Sequence, residues 1–174
     1  MEPLDILISR EALQQRVVEL AREIASSLAG TDLVVVGPLK GAVIFMADLA
    51  RALHDEGVEV CLDFLALSSY GDGTESRGTI DMAMDLQLDL EGRHVLLVDD
   101  IADTGRTLAF ARERVLAHRP ASLRIAVVLD KPSRREIDVP LDFVGFEIPD
   151  LFVLGYGADL AERYRELPYI AVKR

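Results

Sequence analysis

One stretch limits the possible folds more than any other: Val95-Leu96-Leu97-Val98 is a continuous apolar run of strand length that ends abruptly in Asp99-Asp100. A helix is predicted from about Thr104 to His118, and another strand from Leu123 to Leu129. Strand, helix, strand in that order is a βαβ unit, which implies a parallel sheet covered by helices. In such open sheets, ligands sit outside the C-terminal strand ends, and here that end carries two carboxylates.

The rest of the chain fits one α/β domain spanning residues 1–174. Leu13, Val17, Leu20, Ile24 and Leu28 follow helical spacing, with Ser9 placed to cap the helix and Gly30 to end it. Leu33 to Val36 reads as a buried strand stopped by Gly37-Pro38, and a second helix is predicted from about Ala42 to His54. Val58, Val60, Leu62, Phe64 and Ala66 alternate with the period of a strand. From Ser68 to Thr79 the chain turns polar, giving a loop of the length typical of lids and binding loops. After Pro132 the pattern breaks into short strands: Phe143 to Phe146, Leu151 to Leu154, and Tyr169 to Val172.

A net charge of -11 argues against a general nucleic-acid or anionic-membrane binder, both of which need a positive field. Cys61 is the only cysteine, so no internal disulfide forms; within its strand it reads as a buried small hydrophobe. No signal segment or membrane-length apolar run is visible, so a cytoplasmic protein is expected. His54 and His118 lie near predicted helix C-termini and His94 starts a strand, positions that suit capping or surface roles better than catalysis.

After the acidic pair comes Asp103-Thr104-Gly105-Arg106-Thr107, just before the predicted helix. Free N–H groups at a helix N-terminus, two hydroxyls and a glycine that permits close approach form a cradle for a phosphate monoester. Two acids beside a phosphate repel it unless they hold sugar hydroxyls or Mg²⁺. Other origins of an acidic strand end fit less well. A P-loop site needs a G-x-x-x-x-G-K-[ST] partner, which is missing from the sequence. A receiver domain needs more chain after its acidic pair than residues 101–174 supply.

The segment from Asp99 to Leu108 resembles the phosphoribosyl-pyrophosphate motif of type I phosphoribosyltransferases. Three further segments resemble the hypoxanthine-guanine branch: Val36 to Ala42, Asp130-Lys131-Pro132, and Phe143 through Asp159. The resemblance implies a type I phosphoribosyltransferase-like fold, its central, mainly parallel sheet flanked by helices and topped by a small irregular base-binding hood. It also implies a purine-salvage transferase. Such an enzyme joins hypoxanthine or guanine to phosphoribosyl pyrophosphate with Mg²⁺, giving IMP or GMP and pyrophosphate.

Residue by residue, the resemblance gives Asp99 and Asp100 to the ribose hydroxyls and the metal, and Thr104, Gly105, Arg106 and Thr107 to the 5′-phosphate. Lys40, Gly41 and Arg165 go to pyrophosphate, and Asp159 to its Mg²⁺. Asp103 becomes the acid/base group beside N7 of the purine. Lys131 meets the exocyclic oxygen, Phe152 stacks on the ring, and the Val153 backbone meets the pyrimidine edge. Ser69 and Tyr70 open a mobile loop at about 68–79 that closes during turnover. The Leu39-Lys40 peptide is one that adopts the cis form in some members. A homodimer or homotetramer follows from the same resemblance. The chain departs from the common pattern at Ala102, at Asp99 in place of Glu, and at Ile80-Asp81-Met82-Ala83-Met84, where lysines are usual. Two other readings stay open here: a non-catalytic regulator that senses nucleotide or RNA, and an enzyme for xanthine or adenine. Lys131 argues against adenine, whose 6-amino group is itself a donor.

Overall fold

The computed structural model describes residues 4–28, 30–69 and 80–173. In chain order these form β1 (Leu4–Ile8), α1 (Arg10–Leu28), β2 (Leu33–Leu39), α2 (Val43–Asp55), β3 (Val60–Ser69), β4 (Ile80–Met84), β5 (His94–Ala102), α3 (Arg106–Ala117), β6 (Ser122–Asp130), β7 (Phe143–Glu147), β8 (Val153–Leu154) and β9 (Ile170–Lys173). A single 3-10 turn, Pro132–Arg134, follows β6. Among the described residues, no helix is long and apolar enough to cross a membrane.

The main sheet runs β4-β3-β2-β5-β6-β7. Its neighbours from β3 to β7 pair in parallel, and β4 is antiparallel at the edge. Helices cover both faces, so the central strands have no polar side. Val35, Leu96 and Val128 point into a core with Leu20, Ile24, Phe45 and Leu49 of α1 and α2. Their neighbours Val34, Leu97 and Val127 point the other way, against Leu108, Ala111 and Val115 of α3. Ser9 caps α1 by accepting from the Ala12 amide at 3.2 Å, and Gly30 follows its end with φ +75°. The far edge of the sheet is covered by Arg16 of α1, which donates to the Val144 and Gly145 carbonyls of β7 at 2.8 and 3.1 Å.

A second, antiparallel sheet of order β1-β9-β8 forms the hood. In it Leu4 lies opposite Lys173, and Val153 opposite Val172.

Several expectations need correction. β2 does not stop at Val36: its pairing with β5 ends there, but pairing with β3 continues to Leu39. Gly37-Pro38 is thus paired on one side only, and a residue without an N–H is tolerated at such an edge. β5 likewise runs on to Ala102, so the acidic pair lies inside the strand's last turn of pairing with β6. α3 starts at Arg106, because Gly105 takes φ +85°. The expected strand from Leu151 shortens to Val153–Leu154. β1 and β4 had no sequence reading as strands. Cys61 is exposed, since β4 pairs with β3 only from Ala66 onward and leaves the start of β3 as an open edge. The backbone of Ser69 ends β3; Tyr70 and the loop beyond it to residue 79 lie outside the described residues.

Candidate active site

From β2 the chain moves through α2 to β3 on one side, and from β5 through α3 to β6 on the other. The junction between β2 and β5 is therefore the topological switch point of the sheet, where a ligand crevice is expected. A cavity of about 270 Å³ opens there, lined on one side by Asp99, Asp100, Asp103, Thr104, Gly105 and Thr107. Across it stand Pro38, Leu39 and Gly41 with Asp159 and Arg165.

The first side is made of regular structure. Within α3 the Ala109 amide donates to the Gly105 carbonyl at 2.8 Å, leaving the amides ahead of it at the helix's open end. A Cβ on Gly105 would stand 2.2 Å from the Ile137 carbonyl oxygen, so only glycine lets the turn pack there. Thr104 is anchored through its carbonyl, which accepts from the amides of Glu136 and Ile137 at 2.9 and 3.0 Å. The Arg106 side chain points away to Glu136, at 2.8 Å, and does not line the cavity. The Arg106 backbone amide donates to Thr104 Oγ1 at 3.4 Å.

Asp99 is buried at 6% exposure, and its carboxylate accepts from the Asp100 amide at 3.0 Å. Burial, then the neighbouring Asp100 charge, holds the Asp99 carboxyl well above the usual carboxylate range. Asp100 is also raised by burial, against an opposing pull from its hydrogen bonds and from Arg165. Such a pair favours a bound cation or hydroxyl donors over two bare charges. Asp100 reaches its place because Gly41 has no side chain: a Cβ there would lie 2.6 Å from Asp100 Oδ2.

The second side is irregular backbone tied by side chains. The Leu39-Lys40 peptide is cis. Gly157, at φ +106°, packs on Gly41 so closely that a Cβ would stand 2.1 Å from the Gly41 carbonyl oxygen. The buried Tyr156 hydroxyl donates to Asp48 of α2 at 2.7 Å, which pins this turn against α2. Arg165 donates to the Gly157 carbonyl at 2.7 Å and pairs with Asp159 at 2.8 Å. Its Nε is buried with no partner, a donor left over inside the site. Lys40 does not line the cavity; its ammonium pairs with Glu162 at 2.8 Å.

A smaller cavity of about 190 Å³ adjoins the first and shares Asp100, Ile101, Asp103 and Asp159 with it. Lys131, Phe152, Val153 and Ala158 complete its lining. Lys131 is 4% exposed, and its Nζ stands 3.7 Å from Asp103 Oδ2. Phe152 is 59% exposed, an aromatic face open to a flat ligand. The histidines stand apart from both cavities: His54 is in the last turn of α2, His118 caps α3, and His94 meets Ser122 Oγ at 2.7 Å.

Sequence reasoning missed three side chains that shape this site. Arg135 donates to the carbonyls of Ala102 and Asp103 and to Asp130, tying the acidic loop to the lysine segment. Arg134 lies 3.2 Å from Asp103 and 3.7 Å from Asp150. Glu162 faces Lys40 and Arg165. The only available signal was the charged run Arg134-Arg135-Glu136 directly after the lysine segment, and such runs are usually solvated.

Among the described residues no three metal-ligating side chains gather closely enough to hold an ion alone. Asp99, Asp100 and Asp159 nevertheless offer only hard oxygen donors beside the cavity, which suits Mg²⁺ once a ligand's own oxygens complete the shell.

A family model described as phosphoribosyl transferase domain matches residues 5–161. The hypoxanthine phosphoribosyltransferase of Escherichia coli (strain K12) is 45% identical over 169 residues, covering 96% of this chain and 93% of that protein. The hypoxanthine-guanine phosphoribosyltransferase of Aquifex aeolicus (strain VF5) is 49% identical over 168 residues, with 96% and 93% covered. The crystal structure of a hypoxanthine-guanine phosphoribosyltransferase from Bacillus anthracis, with HEPES in its active site, superposes with a TM-score of 0.91 at 42% identity, covering 100% of both chains. The cradle at the switch point, the family match over most of its length and relatives near half identical together show that this chain belongs to the phosphoribosyltransferases, in the hypoxanthine(-guanine) branch.

Proposed function

We propose that this chain transfers the 5-phosphoribosyl group from phosphoribosyl pyrophosphate to hypoxanthine or guanine, releasing pyrophosphate and IMP or GMP. The observation that carries this reading is the shared border of the two cavities. Asp100, Ile101, Asp103 and Asp159 line both, so a sugar phosphate in one and a flat base in the other meet at these residues.

In this reading Thr104 to Thr107 hold the 5′-phosphate at the mouth of α3, and Asp99 and Asp100 fix the ribose hydroxyls. Gly41 and Arg165 face the pyrophosphate, with Lys40 close by. Asp99, Asp100 and Asp159 would hold Mg²⁺ together with the substrate, and the ion would supply charge neutralisation on the leaving group. The bond between C1 of the ribose and the pyrophosphate oxygen breaks, and a bond from C1 to purine N9 forms. The proton on N7 passes to Asp103, whose position between Lys131 and the phosphate cradle suits that task. Lys131 donates to the 6-oxo group and Phe152 stacks on the ring. The fixed donors and the paired cavities supply orientation and preorganised charge, which together carry most of such a rate enhancement. Purine salvage in the cytoplasm, as a homodimer or homotetramer, belongs to the same reading and is supported by the resemblance.

The test is a spectrophotometric turnover assay with phosphoribosyl pyrophosphate, offering hypoxanthine, guanine, xanthine and adenine separately, with and without Mg²⁺. Turnover of hypoxanthine or guanine that stops on chelation is expected. A folded protein that binds phosphoribosyl pyrophosphate but turns over no base would instead indicate a regulator.

A further inference from the structure

The cations assigned to pyrophosphate are already occupied. Glu162 Oε2 lies 2.8 Å from the Lys40 ammonium, and the same oxygen lies 3.6 Å from the Arg165 guanidinium. The two partners come from opposite ends of the chain, Lys40 from the end of β2 and Arg165 from the segment before β9. One carboxylate therefore bridges the two loops that face the leaving group. Its backbone is set for this: Ala161 and Glu162 take φ +50° and +65°, and the Glu162 amide donates to Asp159 Oδ2 at 2.8 Å.

The bridge is also easy to release. Glu162 is 63% exposed and Lys40 66%, so breaking their pair buries no orphaned charge. Exposed pairs of this kind are weak. Arg165 stays in place without Glu162, because the Gly157 carbonyl and Asp159 hold it. Lys40 differs: among the described residues its ammonium has no partner but Glu162.

Resting on the reading of this site as the pyrophosphate site, we propose that Glu162 is a resident counter-anion that pyrophosphate must displace. Its carboxylate holds Lys40 beside Arg165, competes with the leaving group for both cations, and returns to speed pyrophosphate release. A diphosphate carries more charge than a carboxylate and wins the exchange. The competition lowers the affinity of the site without altering the base pocket.

Glu162→Gln removes the charge while keeping the shape. Calorimetric titration with inorganic pyrophosphate in Mg²⁺, beside steady-state kinetics, reads the effect. Pyrophosphate should bind about two- to fivefold tighter to the variant, from the size of an exposed ion pair. The KM for phosphoribosyl pyrophosphate should fall by a similar factor, and the KM for hypoxanthine should hold. Glu162→Asn, a side chain that accepts positive φ, should behave the same way and covers the case in which the glutamine variant folds poorly. Unchanged or weaker pyrophosphate binding in folded, active variants would overturn this inference alone. A wild-type enzyme that neither binds pyrophosphate nor turns over would overturn the function and the inference together.

Discussion

The two sides of the main cavity are built by different means. On one side, Asp99 to Thr107 lies on a strand end and a helix start, fixed by the sheet and by the carbonyl contacts of Thr104. On the other, Lys40, Gly41, Asp159 and Arg165 sit on irregular backbone joined by a glycine contact, a tyrosine hydrogen bond, the partly buried Arg165–Asp159 pair and the exposed Lys40–Glu162 pair. The first is rigid in the way secondary structure is rigid. The second depends on side-chain contacts, and of these the exposed Lys40–Glu162 pair, worth about 0–1 kcal/mol, is the one released at least cost. The division suits the proposed reaction, in which the sugar phosphate would stay bound while the pyrophosphate departs.

The largest effect should come from the regular side. Asp103→Asn should lower kcat by about 10²- to 10⁴-fold, the usual contribution of a general acid or base, with phosphoribosyl pyrophosphate affinity nearly unchanged. Stopped-flow or steady-state kinetics with paired binding measurements would show it. An unchanged turnover number would remove Asp103 from its role. Lys131→Gln should raise the KM for hypoxanthine by about tenfold, the scale of one lost charged hydrogen bond, and leave the KM for phosphoribosyl pyrophosphate alone. An effect confined to pyrophosphate would move Lys131 out of the base pocket and into the other side of the comparison.

The smallest effect is on stability and has the opposite sign. Because Asp99 binds its proton more tightly in the folded chain than in the unfolded one, its ionisation opposes folding. That cost is absent below the usual carboxylate range and grows as pH rises above it toward the folded value. Asp99→Asn keeps an acceptor for the Asp100 amide and removes the buried charge. In the absence of Mg²⁺ it should raise the Tm at pH 7 by a few degrees and flatten the loss of stability with pH, while turnover falls. A lower Tm in thermal melts would show that the charge is compensated in the folded protein.

The same contrast explains what the sequence revealed. The regular side was legible because periodicity marks its elements: the apolar run of β5, the helix after it and the glycine at its start are local signals. β1 and β4 escaped because both are short antiparallel edges; in β1 only Ile8 is buried. Cys61 misled because an alternating strand does not say where its pairing partner begins. The irregular side was legible only through resemblance. Ala161, Glu162 and Tyr164 take positive φ without being glycine or asparagine, so composition gave no cue to the turn. The pairing of Lys40 with Glu162 joins residues far apart in sequence, and no local pattern carries it.

The most direct test of this division uses the two halves of the substrate as separate ligands. Ribose 5-phosphate and Mg²⁺-pyrophosphate would each be titrated calorimetrically into Thr107→Val, on the regular side, and Lys40→Met, on the irregular side. Thr107→Val should weaken ribose 5-phosphate by about tenfold and spare pyrophosphate, and Lys40→Met should do the reverse. If each variant weakens both ligands alike, the two sides do not divide the substrate, and the account given for the site is wrong.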